Sequence, residues 1–139
     1  MPEPRPRNDG PLRVLVVDAD DRVRESLTGL LAIGGRCTVV ASAGQPGPAF
    51  ELALDYDPDV VIVDPRLPEV DSGIAFISRI RTSLPDVRIL AMSWSDTLEP
   101  NLLESGADGF VRKTFRPSEL VAAVLAASRT LHQPSAETA

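Results

Sequence analysis

The sequence predicts a single α/β domain in which one doubly wound parallel sheet lies between two layers of helices. The first observation is the run Val60–Val63, four β-branched apolar residues without polar alternation, which is typical of a strand buried on both faces. The second is the order of the patterns, because five short apolar runs alternate with five segments of helical character. The third is composition: 139 residues, 43% of them hydrophobic and 24% charged, fit one compact domain.

The first half of the chain supplies three strands and two helices. Leu12–Val17 is an apolar run that ends in an acid, Asp18. Apolar residues then recur at helical spacing until Gly34 and Gly35, which are typical of a helix C-terminus. The other elements predicted here are a short strand at 37–41, a proline-rich loop at 43–48, a short helix at 49–56 and the strand at 60–63.

The second half predicts three more helices and two more strands. Pro100 fits only the first turn of a helix and Gly106 ends that segment, so the fourth helix is shortened to one or two turns. Pro117 begins the last helix, with Glu119 near its positive end. The remaining predicted elements are a third helix at 74–84, a fourth strand at 87–92 and a fifth strand at 110–112.

Composition excludes several classes of function. The net charge of −6 and the pI near 4.7 argue against non-specific binding of nucleic acid by this chain. Cys37 is the only cysteine and His132 the only histidine, so an intramolecular disulfide, a cysteine zinc cluster and a Ser-His-Asp triad are not expected. No apolar run is long enough to span a bilayer and the N-terminus is not a signal peptide, so we expect a cytoplasmic protein without a membrane partner.

Polar residues that end the predicted strands form a candidate site: Asp18, Asp64, Ser93 and Lys113, the single lysine beside thirteen arginines. Ligands bind at this edge of open α/β sheets. Because the first and third strands are neighbours in such a sheet, Asp18 and Asp64 should converge, and converging carboxylates need a cation. Oxygen ligands suit Mg²⁺. With Lys113 and Ser93 they make a site for a dianionic phosphoryl group, with Asp64 as the nucleophile. The simpler alternatives are a loop-capping role for Asp64 and a structural ion pair between Lys113 and Asp18.

The chain resembles the receiver domain of two-component response regulators in four motifs, which occur in the family's order: VLVVDADDRVRESL, DVVIVDPRLPEVDSG, ILAMS and GADGFVRKT. The resemblance covers residues 12–131. It implies a flavodoxin-like three-layer sandwich with the parallel strand order 2-1-3-4-5. It also implies a signalling domain that is not an enzyme, because its only chemistry is its own phosphorylation and dephosphorylation.

The resemblance assigns roles to particular residues. Asp64 is implied as the phosphoacceptor, while Lys113 and Ser93 contact the phosphoryl group. Phe110 takes the place of the aromatic residue that moves inward on activation, although it also fits the role of a plain core aromatic. The ligands implied for Mg²⁺ are Asp18, Asp64 and the backbone carbonyl of Arg66.

The chain departs from the family's pattern at three places. Ala19 stands where a second acid ordinarily binds the metal, so weakened Mg²⁺ binding is expected, and Asp20 is the remaining candidate for that ligand. Trp94 follows Ser93 where the family has a small residue, and it is expected to crowd the entrance to the site. Together with the short fourth helix, these departures favour an alternative: a degenerate receiver acting as a phosphorylation-independent interaction or dimerisation module.

We predict a disordered leader at 1–11, the receiver domain at 12–132 and a flexible tail or the start of a linker at 133–139. The expected partners are a histidine kinase and, in a homodimer, a second copy of the chain. Lys113-Thr114 is similar to the pair found in regulators whose output is a LuxR-type DNA-binding domain. Contact with DNA and regulation of transcription are therefore expected only through an output domain outside this chain.

Overall fold

Five strands alternate with five helices in residues 10–113 and 116–129, which are the residues that the computed structural model describes. The elements, in chain order, are β1 (Leu12–Val17), α1 (Asp21–Ala32), β2 (Cys37–Ala43), α2 (Pro46–Tyr56), β3 (Val60–Val63), α3 (Val70–Ser83), β4 (Arg88–Ser93), α4 (Glu99–Ser105), β5 (Gly109–Arg112) and α5 (Pro117–Arg129). Short 3₁₀ turns follow α1 and precede α4, at Ile33–Gly35 and Asp96–Leu98.

The strands form one parallel sheet in the order β2-β1-β3-β4-β5. The predicted α/β fold and strand order are therefore confirmed. β3 lies at the centre, and all four of its residues are fully buried, as the unbroken apolar run predicts. In the β1–β3 register Val17 pairs with Val63, so the residues that follow them, Asp18 and Asp64, leave the sheet side by side.

The core is divided by the sheet into two layers. On one face α2, α3 and α4 pack against side chains such as Val61 and Val63 of β3, with Phe76 and Leu102 among the helical residues buried there. On the other face α1 and α5 cover the remaining side chains of β3, including Ile62. This three-layer arrangement confirms the predicted sandwich.

The structure corrects the predicted start of α2. This helix begins at Pro46, within the stretch 43–48 that was expected to be a loop, and β2 extends to Ala43. Pro46 and Pro48 both lie in the first turn, where backbone N–H groups have no intrahelical partner, so neither proline removes a helical hydrogen bond.

The third helix also begins earlier than predicted, at Val70 rather than near 74. Gly73 lies inside this helix because α3 approaches the backbone of the preceding loop. A Cβ atom at Gly73 would lie 1.7 Å from the carbonyl oxygen of Pro65, so no larger residue fits without displacing that loop. The close approach fixes α3 against the residue that follows Asp64.

The last two helices match their predictions. α4 has seven residues, with Pro100 in its first turn and Gly106 at its C-cap with φ of 126°, so the shortened fourth helix is confirmed. α5 begins at Pro117. The predicted leader at 1–11 falls mostly outside the described residues, and the predicted tail at 133–139 falls entirely outside them. Of the helices in the part of the chain that the structure describes, none has the length and apolar character that a membrane span requires.

Candidate functional site

Two buried carboxylates lie at the carboxyl edge of the sheet. Asp18 follows β1 and is 2% exposed, and Asp64 follows β3 and is 4% exposed. The backbone N–H of Asp64 donates to the carbonyl oxygen of Val17 at 3.0 Å, so the parallel ladder continues to the acid itself. Two carboxylates held this close in a buried position require a compensating cation.

Lys113 supplies that cation from the end of β5. Its Nζ lies 2.8 Å from Asp18 Oδ2 and 2.6 Å from Asp64 Oδ2, and its side chain is only 5% exposed. Burial acts to lower the pKa of Lys113, but the contacts with Asp18 and Asp64 and their negative charges outweigh burial and raise the pKa above its ordinary value of 10.5. Lys113 is therefore protonated and bridges both acids at neutral pH.

Backbone N–H groups hold the second oxygen of each carboxylate. The N–H of Asp20 donates to Asp18 Oδ1 at 2.9 Å, and the N–H of Arg66 donates to Asp64 Oδ1 at 2.9 Å. Each of these bonds reaches forward two residues, which is the local turn that Asp side chains favour. Both carboxylates are thus fixed at one oxygen by the chain and at the other by Lys113.

Asp20 does not join the two acids. It is exposed, and its Oδ1 accepts hydrogen bonds from Arg22 N at 2.8 Å and Val23 N at 3.3 Å, which makes it the N-cap of α1. Its carboxylate satisfies the helix N-terminus in this structure, so the structure does not support it as a replacement for the acid missing at Ala19. Ala19 itself is exposed beside Asp18.

The remaining donor set fits a hard cation such as Mg²⁺. The carboxylates of Asp18 and Asp64 and the backbone carbonyl of Arg66 are oxygen donors, and Mg²⁺ binds through one or two carboxylates while keeping several waters. Asp18 Oδ2 is buried, and its contact with the Lys113 ammonium at 2.8 Å is an ion pair without hydrogen-bond geometry. Among the described residues no group of three or more His, Cys, Asp or Glu side chains could hold a metal.

Ser93 and Phe110 also lie near this edge, in different settings. Ser93 ends β4 and is 2% exposed; its Oγ accepts a hydrogen bond from Ser95 N at 3.4 Å. Its carbonyl oxygen accepts one from Lys113 N at 2.7 Å, which joins the ends of β4 and β5 beside the acids. Phe110 is half-buried in β5 and packs against the core layer of α2, α3 and α4. The role of Phe110 as a switch remains a prediction.

Trp94 lies over the site lysine. The centroid of its ring is 5.2 Å from Lys113 Nζ, and 57% of the residue is exposed. Its backbone carbonyl accepts a hydrogen bond from Arg112 Nη2 at 3.3 Å, so the last residue of β5 contacts the backbone of Trp94 while the next residue, Lys113, contacts its ring. Sequence reasoning placed Trp94 beside the entrance but missed its contact with Lys113, for which the only signal was the position of both residues at strand ends.

Arg24 is a second residue that sequence reasoning missed. Its Nη1 donates to the carbonyl oxygen of Asp18 at 2.5 Å from the first turns of α1. Gly44 leaves the space for this side chain, because a Cβ atom there would lie 2.5 Å from Arg24 Nη1. Helical periodicity places Arg24 on α1 but does not show that it reaches the backbone of Asp18.

The arrangement of acids, lysine and hydroxyl agrees with a match between residues 14–125 and the family model described as the response regulator receiver domain. The chain belongs to the response regulator receiver family. This membership confirms the resemblance on which the predicted roles of Asp64, Ser93 and Lys113 rest, although it does not test those roles one by one.

Known relatives of this receiver domain include full-length regulators. It is 34% identical over 116 residues to the transcriptional regulatory protein LnrK of Bacillus subtilis, covering 82% of this chain and 52% of LnrK. It is 32% identical over 124 residues to the oxygen regulatory protein NreC of Staphylococcus epidermidis, covering 88% of this chain and 55% of NreC. The receiver domain therefore spans about half the length of these relatives.

Solved structures support the same fold. The receiver domain matches the signal receiver domain of the putative response regulator NarL from Mycobacterium tuberculosis with a TM-score of 0.79 and 30% identity, covering 88% of this chain and 99% of that one. It matches a LuxR-family two-component response regulator from Aurantimonas sp. with a TM-score of 0.77 and 32% identity, covering 85% of each chain. The predicted similarity to LuxR- and NarL-type regulators is thus confirmed.

Proposed function

We propose that this receiver domain accepts a phosphoryl group on Asp64 from a partner histidine kinase and thereby switches an output surface. The observation that carries the proposal is the Lys113 ammonium between two buried carboxylates, beside a buried serine at the end of the neighbouring strand. An aspartate that is buried, fixed in orientation and paired with a cation is suited to receive a dianionic group whose charge needs immediate compensation.

The proposed step is a displacement at phosphorus. One oxygen of the Asp64 carboxylate attacks the phosphorus of a phosphohistidine, the phosphorus–nitrogen bond breaks, and the imidazole nitrogen leaves with the bonding electrons. The product is an acyl phosphate on Asp64. Lys113 Nζ, 2.6 Å from Asp64 Oδ2 in the free domain, is close enough to contact the oxygens of the incoming phosphoryl group. The histidine would belong to the partner kinase, since the single histidine of this chain, His132, lies near its C-terminus and in none of the four receiver motifs.

The residues that would hold Mg²⁺ are Asp18, Asp64 and the carbonyl of Arg66. A bound Mg²⁺ would supply positive charge to the oxygens of the phosphoryl group. Ala19 offers no carboxylate and Asp20 caps α1, so this chain presents one acid fewer than its family and should bind the ion more weakly.

The proposed switch begins at Ser93. A hydrogen bond from its hydroxyl to the phosphoryl group would draw the end of β4 toward Asp64 and move the following loop relative to α4. Phe110 packs on the α4 side of the sheet and would adjust to that shift. The surface formed by α4, β5 and α5 would then exist in two states whose balance phosphorylation changes.

The proposal also includes a wider role, because the matching region makes up about half of longer regulators such as LnrK. LnrK is described as a transcriptional regulatory protein. By analogy, this domain would regulate transcription through a DNA-binding output domain, with homodimerisation as one consequence of the switch and the cytoplasm as its compartment.

The test is the intact mass of the protein after treatment with acetyl phosphate and Mg²⁺. The wild type should gain the mass of one phosphoryl group and Asp64→Asn should not. Asp71→Asn is the matched control, because Asp71 is an exposed acid in the first turn of α3. If the wild type gains no adduct at millimolar Mg²⁺, the proposal fails. The domain is then better described as a phosphorylation-independent interaction or dimerisation module.

A further inference from the structure

Trp94 and Lys113 are the single tryptophan and the single lysine of the chain, and they are in contact. The 5.2 Å between Nζ and the ring centroid is within the roughly 6 Å at which a cation is attracted to the face of an indole. Trp94 is 57% exposed while the Lys113 side chain is 5% exposed. An exposed aromatic ring is therefore in contact with a buried ammonium group.

The ammonium group has three N–H donors. Two of its near neighbours are Asp18 Oδ2 and Asp64 Oδ2, which lie on the protein side. The indole face is a further near neighbour, and it occupies space in which water could otherwise approach the ammonium. Arg112 holds the backbone of Trp94 through its carbonyl oxygen, which keeps the loop close to the end of β5.

We propose that Trp94 is a positioning residue for Lys113, which holds the ammonium against the two carboxylates by a cation–π contact and covers it from solvent. The inference deepens the proposed function, because it makes Trp94 a determinant of which molecules reach Asp64. It rests on the contact of this chain's own tryptophan with its lysine.

The consequence concerns access. Asp64 Oδ2 lies 2.6 Å from Lys113 Nζ, which in turn lies 5.2 Å from the centroid of the exposed indole ring, so a phosphoryl donor or a hydrolysing water that reaches Asp64 comes close to Trp94. In a displacement at phosphorus the leaving group and the attacking water take in-line positions opposite the Asp64 oxygen. An indole ring that covers the site should therefore slow two reactions: the phosphorylation of Asp64 by small donors and the hydrolysis of its acyl phosphate. A donor carried on a protein surface can displace the indole with binding energy from other contacts.

The first test observes the ammonium group directly. Protein grown with lysine isotope-labelled at its side-chain nitrogen gives one ammonium NMR signal, because Lys113 is the only lysine. Exchange of its protons with water should be slow in the wild type and about fivefold to tenfold faster in Trp94→Leu, which keeps an apolar side chain but lacks the π face. Trp94→Phe should restore slow exchange in part. Tyr56→Leu, at another exposed aromatic residue, should match the wild type.

The second test measures rates on the same proteins with acetyl phosphate as the probe. Trp94→Leu should raise both the rate of Asp64 phosphorylation and the rate of phosphoryl loss by about fivefold to tenfold, and Trp94→Phe by less. Equal ammonium exchange in wild type and Trp94→Leu overturns the inference, and so do equal rates. If the wild type and every variant stay unphosphorylated, the proposed function fails, while the exchange measurement still decides whether Trp94 positions Lys113.

Discussion

Replacing Lys113 by methionine tests whether this lysine compensates the two acids. The change keeps a long apolar stem and removes the charge that lies 2.8 Å from Asp18 and 2.6 Å from Asp64. At an effective dielectric constant near 20, each contact amounts to about 6 kcal/mol of Coulomb attraction before the cost of desolvation. Because that cost offsets much of the attraction, we expect a net loss of about 3–5 kcal/mol in the free energy of unfolding, the range for breaking a buried pair from one side.

The assay is urea unfolding at pH 7 with a chelator present, monitored by far-ultraviolet circular dichroism. The free energies of unfolding of the variants are compared on the condition that their m-values are equal. Arg116→Met is the matched control, since the Arg116–Glu119 pair is exposed, and it should change the free energy of unfolding by no more than about 0.5 kcal/mol. Adding Mg²⁺ should stabilise Lys113→Met more than the wild type, because the ion then replaces the missing charge. A loss below about 1 kcal/mol in Lys113→Met would refute the compensation argument.

Three further predictions address pH, the helix cap and the missing acid. The pKa of Lys113 is raised in the folded state, so its contribution to stability is complete below pH 10.5 and is lost as pH rises through the pKa of the folded protein. The free energy of unfolding in alkaline buffers should therefore fall more steeply with pH in the wild type than in Lys113→Met. Asp20→Ala should cost about 1 kcal/mol through loss of the α1 cap and leave Mg²⁺ affinity unchanged by isothermal titration calorimetry; a weakened affinity would show that Asp20 is a ligand after all. Ala19→Asp should strengthen Mg²⁺ binding by roughly tenfold or more in the same titration, and an unchanged affinity would contradict the assignment of the missing ligand to that position.

The fold was predictable because its strands can be recognised from short stretches of the sequence. Val60–Val63 is an unbroken apolar run and became a fully buried strand, and Leu12–Val17, interrupted only by Arg13, became a strand whose last four residues are buried; both strands have the predicted bounds. The site followed from the fold, since parallel strands end at a common edge and the neighbouring strands β1 and β3 are each followed directly by an acid. Asp18 and Asp64 could be placed together before any distance was known.

Helix starts were less predictable because they depend on contacts far along the chain. Pro46 and Pro48 indicate a loop when considered alone, yet both fit the first turn of α2 once that helix packs on the sheet. Gly73 similarly disfavours a helix locally, whereas its lack of a side chain is what lets α3 approach Pro65.

Side-chain choices at the site could not be predicted from the sequence. Asp20 had two plausible uses, a metal ligand or a helix cap, and only the backbone geometry around Arg22 and Val23 decides for the cap in this structure. The contact between Trp94 and Lys113 joins residues 19 positions apart, and no local pattern relates them. Such contacts depend on how two loops meet above the sheet.

Whether Asp64 carries the phosphoryl group can be decided by locating that group on the chain. Protein treated with acetyl phosphate and Mg²⁺ can be reduced with borohydride, which converts an aspartyl phosphate to homoserine, and then digested for peptide mass spectrometry. We expect homoserine at position 64 in the wild type and in Ala19→Asp, with more of it in the latter. Reduction at another acid, or unmodified Asp64 in both proteins, would contradict this expectation.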